Sequence, residues 1–158
     1  MSLIRLARHT LFNHKYNYIR GFHSCMQKKQ TYYTVEHEII EIKDENTLTI
    51  GITDYAKKEL GDIIHIEPEI EEDDKIEKND ILVTIESIKA VSEILSPIEG
   101  SVIEYNPLFI DDVSCINTMN ENNEEYWLVK CTYNKKQFEN DLKELMDGVE
   151  YSNFIKSK

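Results

Sequence analysis

Apolar and polar positions change their spacing several times along this chain, and each change marks an element. From Tyr33 onward they mostly alternate, the two-residue period of a strand with one covered face. Ile39-Ile40-Glu41-Ile42 and Thr47-Leu48-Thr49-Ile50 are two such stretches, and Asp44-Glu45-Asn46 between them predicts a hairpin. Gly51-Ile52-Thr53 then leads into a short helix with the body Tyr55-Ala56-Lys57-Lys58-Glu59-Leu60. Thr53 or Asp54 serves as its cap, and Gly61 lies just past its end. Ile63-Ile64-His65-Ile66 predicts another strand, stopped by Pro68. Residues 67–80 hold eight carboxylates and two lysines, the composition of a solvated acidic loop. Two strands follow, 81–86 and 90–95, around a tight connection. Ser96-Pro97 breaks the pattern, and residues 98–105 make a strand interrupted by Gly100. Residues 106–125 are polar and read as irregular, and a last strand spans Trp127-Leu128-Val129 and Cys131 to Tyr133. Asn134 can cap a helix in which Phe138, Leu142, Leu145 and Met146 share a face. Gly148 ends that helix, and Tyr151 to Ile155 add one more turn. Many short strands, with helices confined to one insertion and the C-terminus, predict a mainly β fold. The expected architecture is a β-sandwich or flattened barrel with appended helices.

Charge divides the chain in two. Residues 1–35 contain no Asp or Glu but hold Arg5, Arg8, Lys15, Arg20, Lys28 and Lys29, a balance of +6. The whole chain of 158 residues carries −12, so the remainder carries −18. Leu3, Leu6, Ala7 and Leu11 repeat at helical spacing, with Arg5 and Arg8 off that stripe. An acid-free, Arg-containing, amphipathic N-terminus predicts a mitochondrial transit peptide over residues 1–30, ahead of one domain over 31–158. Cleavage is expected between Arg20 and Thr31 and delivery to the matrix; a disordered basic arm is the plainer alternative. The acidic remainder argues against nucleic acid, whose phosphates need clustered Lys and Arg. No apolar run approaches the ~20 residues of a membrane-spanning helix.

The residue types of catalysis and metal binding are sparse. Cys25, Cys115 and Cys131 form no C-x-x-C pair, and the five histidines are scattered. Neither a disulfide nor a metal site is expected, and Cys115 and Cys131 read as small packed or half-exposed residues. No nucleophile–base order emerges among the carboxylates. Lys89 is set apart by position, on a turn between two predicted strands; by that alone it is an ordinary solvated lysine.

The surrounding residues change this. Glu86-Ser87-Ile88-Lys89-Ala90-Val91-Ser92 resembles the lipoyl-attachment segment of the H protein of the glycine cleavage system. Gly51-Ile52-Thr53-Asp54-Tyr55-Ala56 and Glu59-Leu60-Gly61-Asp62-Ile63 resemble a second strong motif of that family. Glu36-His37-Glu38, Ser96-Pro97-Ile98-Glu99-Gly100, Trp127-Leu128-Val129-Lys130 and Glu150-Tyr151-Ser152-Asn153-Phe154 extend the similarity over about residues 32–155. The chain departs from the family at Asn79, where a glycine is usual, at Ile39 in place of an aromatic, and in the polar run 122–126. Asn79 can still take a left-handed turn conformation.

The resemblance implies a lipoyl/biotinyl-carrier fold and a protein that is not itself an enzyme. It implies lipoate, held as an amide on Lys89, that carries an aminomethyl group. The implied partners are a pyridoxal-phosphate glycine decarboxylase, a tetrahydrofolate-dependent aminomethyltransferase, a dihydrolipoyl dehydrogenase and the lipoyl-attaching enzymes. Biotin fits less well, because biotin carriers usually flank the lysine with methionines and here Ile88 and Ala90 do so. Lys89 is expected to pack against nothing. Glu86 and Gly100 are expected to help the attaching enzyme recognise the hairpin. Glu38 and Glu93 are expected to border a cleft that protects the loaded arm. A monomer is expected. Two other roles use the same features: relay of lipoate to other complexes, and an acidic interaction module whose lysine stays unmodified.

Overall fold

The structure is a computed structural model that describes residues 30–158; all but the last residue of the basic leader expected over residues 1–30 lies outside the described residues. Within them the chain runs β1 (Gln30–Tyr33), β2 (Glu38–Ile42), β3 (Thr47–Ile52), α1 (Asp54–Leu60), β4 (Ile63–Pro68), β5 (Lys75–Ile76), β6 (Ile81–Ser87), β7 (Val91–Leu95) and β8 (Gly100–Tyr105). It continues through α2 (Pro107–Asp111), α3 (Ser114–Thr118), β9 (Val129–Tyr133), α4 (Lys135–Asp141), a 3-10 turn and α5 (Gly148–Lys156).

The strands form two antiparallel sheets, one ordered β1-β2-β3-β9-β8-β5 and one ordered β4-β6-β7. Their facing sides make one core from Ile40, Leu48 and Ile50 on the larger sheet and Ile63, Leu82, Val83, Ile85 and Ile94 on the smaller. Each fully buried aliphatic side chain there contributes about 1.5–3 kcal/mol. This is the expected mainly β sandwich. The β2–β3 hairpin forms in the expected place, with Ile40 opposite Ile50, and Asp44 ties its turn by accepting from the Asn46 and Thr47 amides. Cys131 is buried and Cys115 half-buried, as their composition suggested.

The acidic stretch is more ordered than a solvated loop. Lys75–Ile76 pairs with β8 as β5, and Asp73 and Asn79 take φ of 69° and 72° to shape the turns around it. Asn79 thus does what a glycine would do, and its amide donates to the Ser96 carbonyl at 2.7 Å.

Two other expectations fail. Residues 106–125 are not irregular throughout but hold α2 and α3, which bury Phe109 and Ile116 against the core. Asn106 caps α2, with Pro107 at its first position. The helix after Asn134 does not run on to Gly148. It stops at Asp141, a 3-10 turn follows, and Met146 bridges in extended form to Tyr33. Gly148 instead begins α5, under a capping box in which Asp147 accepts from the Glu150 amide and Glu150 accepts from the Asp147 amide.

Candidate functional site at the β6–β7 turn

The β6–β7 hairpin closes with a two-residue tip, Ile88-Lys89. Left-handed backbone outside glycine occurs, among the described residues, at His37, Asp73 and Asn79, so this tip lacks the primed geometry that two-residue hairpins favour. Ser87 supplies the missing order. Its hydroxyl accepts from the Lys89 and Ala90 amides at 3.2 and 3.0 Å and donates to the Ala90 carbonyl at 2.9 Å. Such a side chain mimicking a backbone turn is a property of serine at this position of a bend. The tip is also pinned from below: the Ile88 amide donates to the Asp62 carbonyl at 3.0 Å.

Lys89 is exposed but does not stand free, contrary to expectation. Its stem lies over Gly61, and its amine donates to the Glu59 carbonyl at 3.3 Å. That carbonyl belongs to the last turn of α1, where unsatisfied oxygens attract a cation. Gly61 takes φ of 75°, and a Cβ there would sit 3.1 Å from the Lys89 Cε. Glycine at this point therefore allows both the helix end and the resting place of the lysine. Thr53 caps the other end of α1, accepting from the Ala56 amide at 3.2 Å, so the expected capped helix becomes a platform under the tip. Among the described residues Lys89 joins no ion pair, which leaves its amine held by one exposed contact.

Around the tip the surface is apolar. Ile88 and Val91 are each 64% exposed and Ile64 is 55% exposed. Beyond them the outer face of the small sheet is acidic. Glu86 pairs with Val91 and with His65, Thr84 pairs with Glu93 and with Glu67, and Glu69 accepts from the Thr84 hydroxyl. Glu86 and Glu93 are exposed on this face.

The other two expected site residues stand elsewhere. Gly100 opens β8 in the larger sheet, between Ile76 of β5 and Tyr133 of β9. Its close approach is to the backbone of β9, not to the hairpin: a Cβ would lie 1.9 Å from the Thr132 carbonyl oxygen. Glu38 is 2% exposed and not a solvated strand carboxylate. One carboxylate oxygen accepts from the Leu95 amide at 3.4 Å and the other from the Thr34 hydroxyl. Leu95 ends β7, so this carboxylate joins the larger sheet to an edge donor of the smaller one. Burial pushes the Glu38 carboxyl up to about 7, and the nearby Glu36 charge adds to the rise. Glu38 therefore reaches the end of β7 from a buried position, whereas Glu93 stands on β7 itself in solvent.

The sequence did not single out Ser87, the Glu59 and Asp62 carbonyls, or Gly61 as parts of the site. Ser87 left a local signal, a hydroxyl directly before a tight turn, and Gly61 was marked as a helix end but not as the seat of Lys89. The others depend on where α1 lands. Among the described residues no helix is long and apolar enough to cross a membrane.

The family model described as glycine cleavage H-protein matches residues 31–158. A probable glycine cleavage system H protein of Pyrococcus furiosus is 43% identical over 131 residues, covering 82% of this chain and 92% of that protein. The glycine cleavage system H protein of Staphylococcus saprophyticus is 40% identical over 124 residues, covering 78% and 92%. A crystal structure of a glycine cleavage system H protein from Mycobacterium marinum superposes with a TM-score of 0.65 at 25% identity, covering 79% of this chain and 95% of that one. With a two-sheet fold that exposes one lysine on a pinned turn, and relatives matched over almost their full length, the chain belongs to the glycine cleavage H-protein family, the carrier component of the glycine cleavage system.

Proposed function

We propose that this chain carries lipoate as an amide on Lys89 and shuttles between the enzymes of glycine cleavage. The observation that carries this reading is the exposed Lys89 amine on a tip fixed by Ser87 and Asp62. When bound, lipoate supplies a dithiolane that takes an aminomethyl group from glycine at a pyridoxal-phosphate decarboxylase, yields it to a tetrahydrofolate-dependent aminomethyltransferase and is reoxidised by dihydrolipoyl dehydrogenase. The chain itself is not an enzyme in this reading. Conversion of the Lys89 ammonium to an amide removes its charge and weakens its hold on the Glu59 carbonyl, which frees the side chain to swing from the helix end. The exposed Ile64, Ile88 and Val91 form the apolar ring that partner enzymes press around the lysine, and Glu86 offers the attaching enzyme a charge beside its target. Gly100 bears on recognition only indirectly, by permitting the path of β8 that keeps the domain folded.

Glu38 and Glu93 guard the loaded arm. The amine at its end is a cation, and a buried carboxylate holds a cation strongly. The ammonium in turn favours ionised Glu38. Without the arm Glu38 is ionised above about pH 7; the ammonium moves that midpoint down, so protection is present at pH 7 and above and fades only as the pH falls below it. Replacing Glu38 by Gln is expected to leave attachment unchanged and to speed release of formaldehyde and ammonia from the loaded protein at pH 8 roughly tenfold, the effect of a lost ~1.4 kcal/mol contact. Glu93→Ala has a smaller effect, because that carboxylate is in solvent. Equal release from wild type and the double variant would remove both residues from the cleft.

The leader, residues 1–30, directs the chain to the mitochondrial matrix. Support comes from its +6 balance without a carboxylate and from a family match that begins only at residue 31. A reporter fused to residues 1–30 is expected to enter mitochondria, and a chain starting at Thr31 to remain in the cytosol. A cytosolic full-length chain would contradict this.

A further inference from the structure

His37, next to Glu38, takes a φ of 75°, a backbone state uncommon outside glycine that persists only when its surroundings fix it. Five residues do so here. The His37 amide donates to the Thr34 carbonyl at 3.3 Å, and the His37 carbonyl accepts from the Thr53 amide at 3.0 Å. The ring lies 4.6 Å from Tyr55 and 5.7 Å from Phe154, and its Nδ1 is 2.8 Å from the Tyr151 hydroxyl. That hydroxyl is also 2.8 Å from the Thr53 Oγ1.

The direction of these bonds follows from the far side of the ring. The Lys158 ammonium is 3.0 Å from the His37 Nε2 and can only donate, so Nε2 accepts and Nδ1 carries the proton. Nδ1 then donates to the Tyr151 oxygen. The Tyr151 O–H donates in turn to the Thr53 hydroxyl oxygen, which also accepts from the Ala56 amide. Tyr151 itself is buried, and its ring stacks on Tyr33 with centroids 4.4 Å apart. The hydroxyl thus adds a side-chain link between two parts of the site that the Thr53 amide to His37 carbonyl bond already joins through backbone: the start of β2, which places Glu38, and the cap of α1, whose far end seats Lys89.

We propose that Tyr151 is a positioning residue for the arm cleft, its hydroxyl fixing the Glu38 side of the cleft against the α1 platform beneath Lys89. The C-terminal helix is then a strut of the site. This rests on the guarding role of Glu38 stated above.

Tyr151→Phe removes the hydroxyl and keeps the stacked ring, so it separates positioning from packing. In the protein without lipoate, NMR titration of the Glu38 carboxyl and the Leu95 amide reads the cleft directly. Wild type should titrate both near pH 7; Tyr151→Phe should move that midpoint down toward the ordinary carboxylate range, as the loosened segment admits water. In the loaded protein, Tyr151→Phe should speed aminomethyl release severalfold, and the same change made on Glu38→Gln should add nothing, because Tyr151 acts through Glu38. An unmoved Glu38 midpoint, or effects on release that multiply, would overturn the proposal while leaving the guarding role in place. A Glu38→Gln variant with unchanged release would overturn both, and the two failures are told apart by that single variant.

Discussion

Replacement of Lys89 by Arg should abolish lipoyl attachment and leave the fold unchanged. The guanidinium stays protonated at any physiological pH and offers no neutral amine to acylate. The tip does not depend on the lysine for its shape: Ser87 and the Asp62 carbonyl hold it through backbone groups that Arg also has. The one lost contact, from the amine to the Glu59 carbonyl, is exposed, so stability should change by less than about 0.5 kcal/mol. An antibody to the lipoyl group, applied to wild type and variant made with the same attaching enzymes, reads the first effect. A thermal melt reads the second. Reactivity that survives the substitution would place the attachment site elsewhere.

The largest stability effect is expected at Gly100. An alanine Cβ there would lie 1.9 Å from the Thr132 carbonyl oxygen and 3.0 Å from its carbon. These are backbone atoms of a paired strand, and they cannot rotate away. Relief requires β8 to part from β9, which strains the pairing of Gly100 with Tyr133 and of Ser101 with Thr132. Overpacking of this kind costs typically 1–3 kcal/mol, and more when backbone must move. Gly100→Ala should therefore lose about 3 kcal/mol in urea unfolding. Lipoyl attachment at Lys89 should be normal at a temperature where the variant is folded, since the hairpin lies in the other sheet. Wild-type stability combined with impaired attachment would reverse this assignment and make Gly100 a recognition residue.

The contrast between these two positions shows what the sequence carried. The β6–β7 hairpin, the capped α1 and the β2–β3 hairpin were legible because each is specified by neighbours in the chain: an apolar run, a turn, a cap. Asn79 was legible for the same reason, as a residue able to take positive φ where the chain must bend. α2 and α3 were not, because five residues span less than two turns and show no period; the pair Asn106-Pro107 was their only mark. Gly148 was misread because glycine can follow a helix or begin one, and the decisive signal was the acid pair Asp147 and Glu150. In the site, Lys89 and Glu86 could be placed from local sequence. The burial of Glu38 could not, since it arises where β2 meets the end of β7, 57 residues away. Nor could the seat of Lys89 on α1, a contact across 30 residues.

The central claim is tested most directly by intact mass and peptide mapping of the chain isolated from its own cells, before and after incubation with glycine and the pyridoxal-phosphate decarboxylase. The account predicts one lipoyl amide, on the peptide that contains Lys89, and a further mass gain on the same peptide after glycine is supplied. An unmodified Lys89 would contradict the carrier role and favour an interaction module. A lipoylated Lys89 that never gains mass from glycine would contradict the shuttle and favour relay of lipoate.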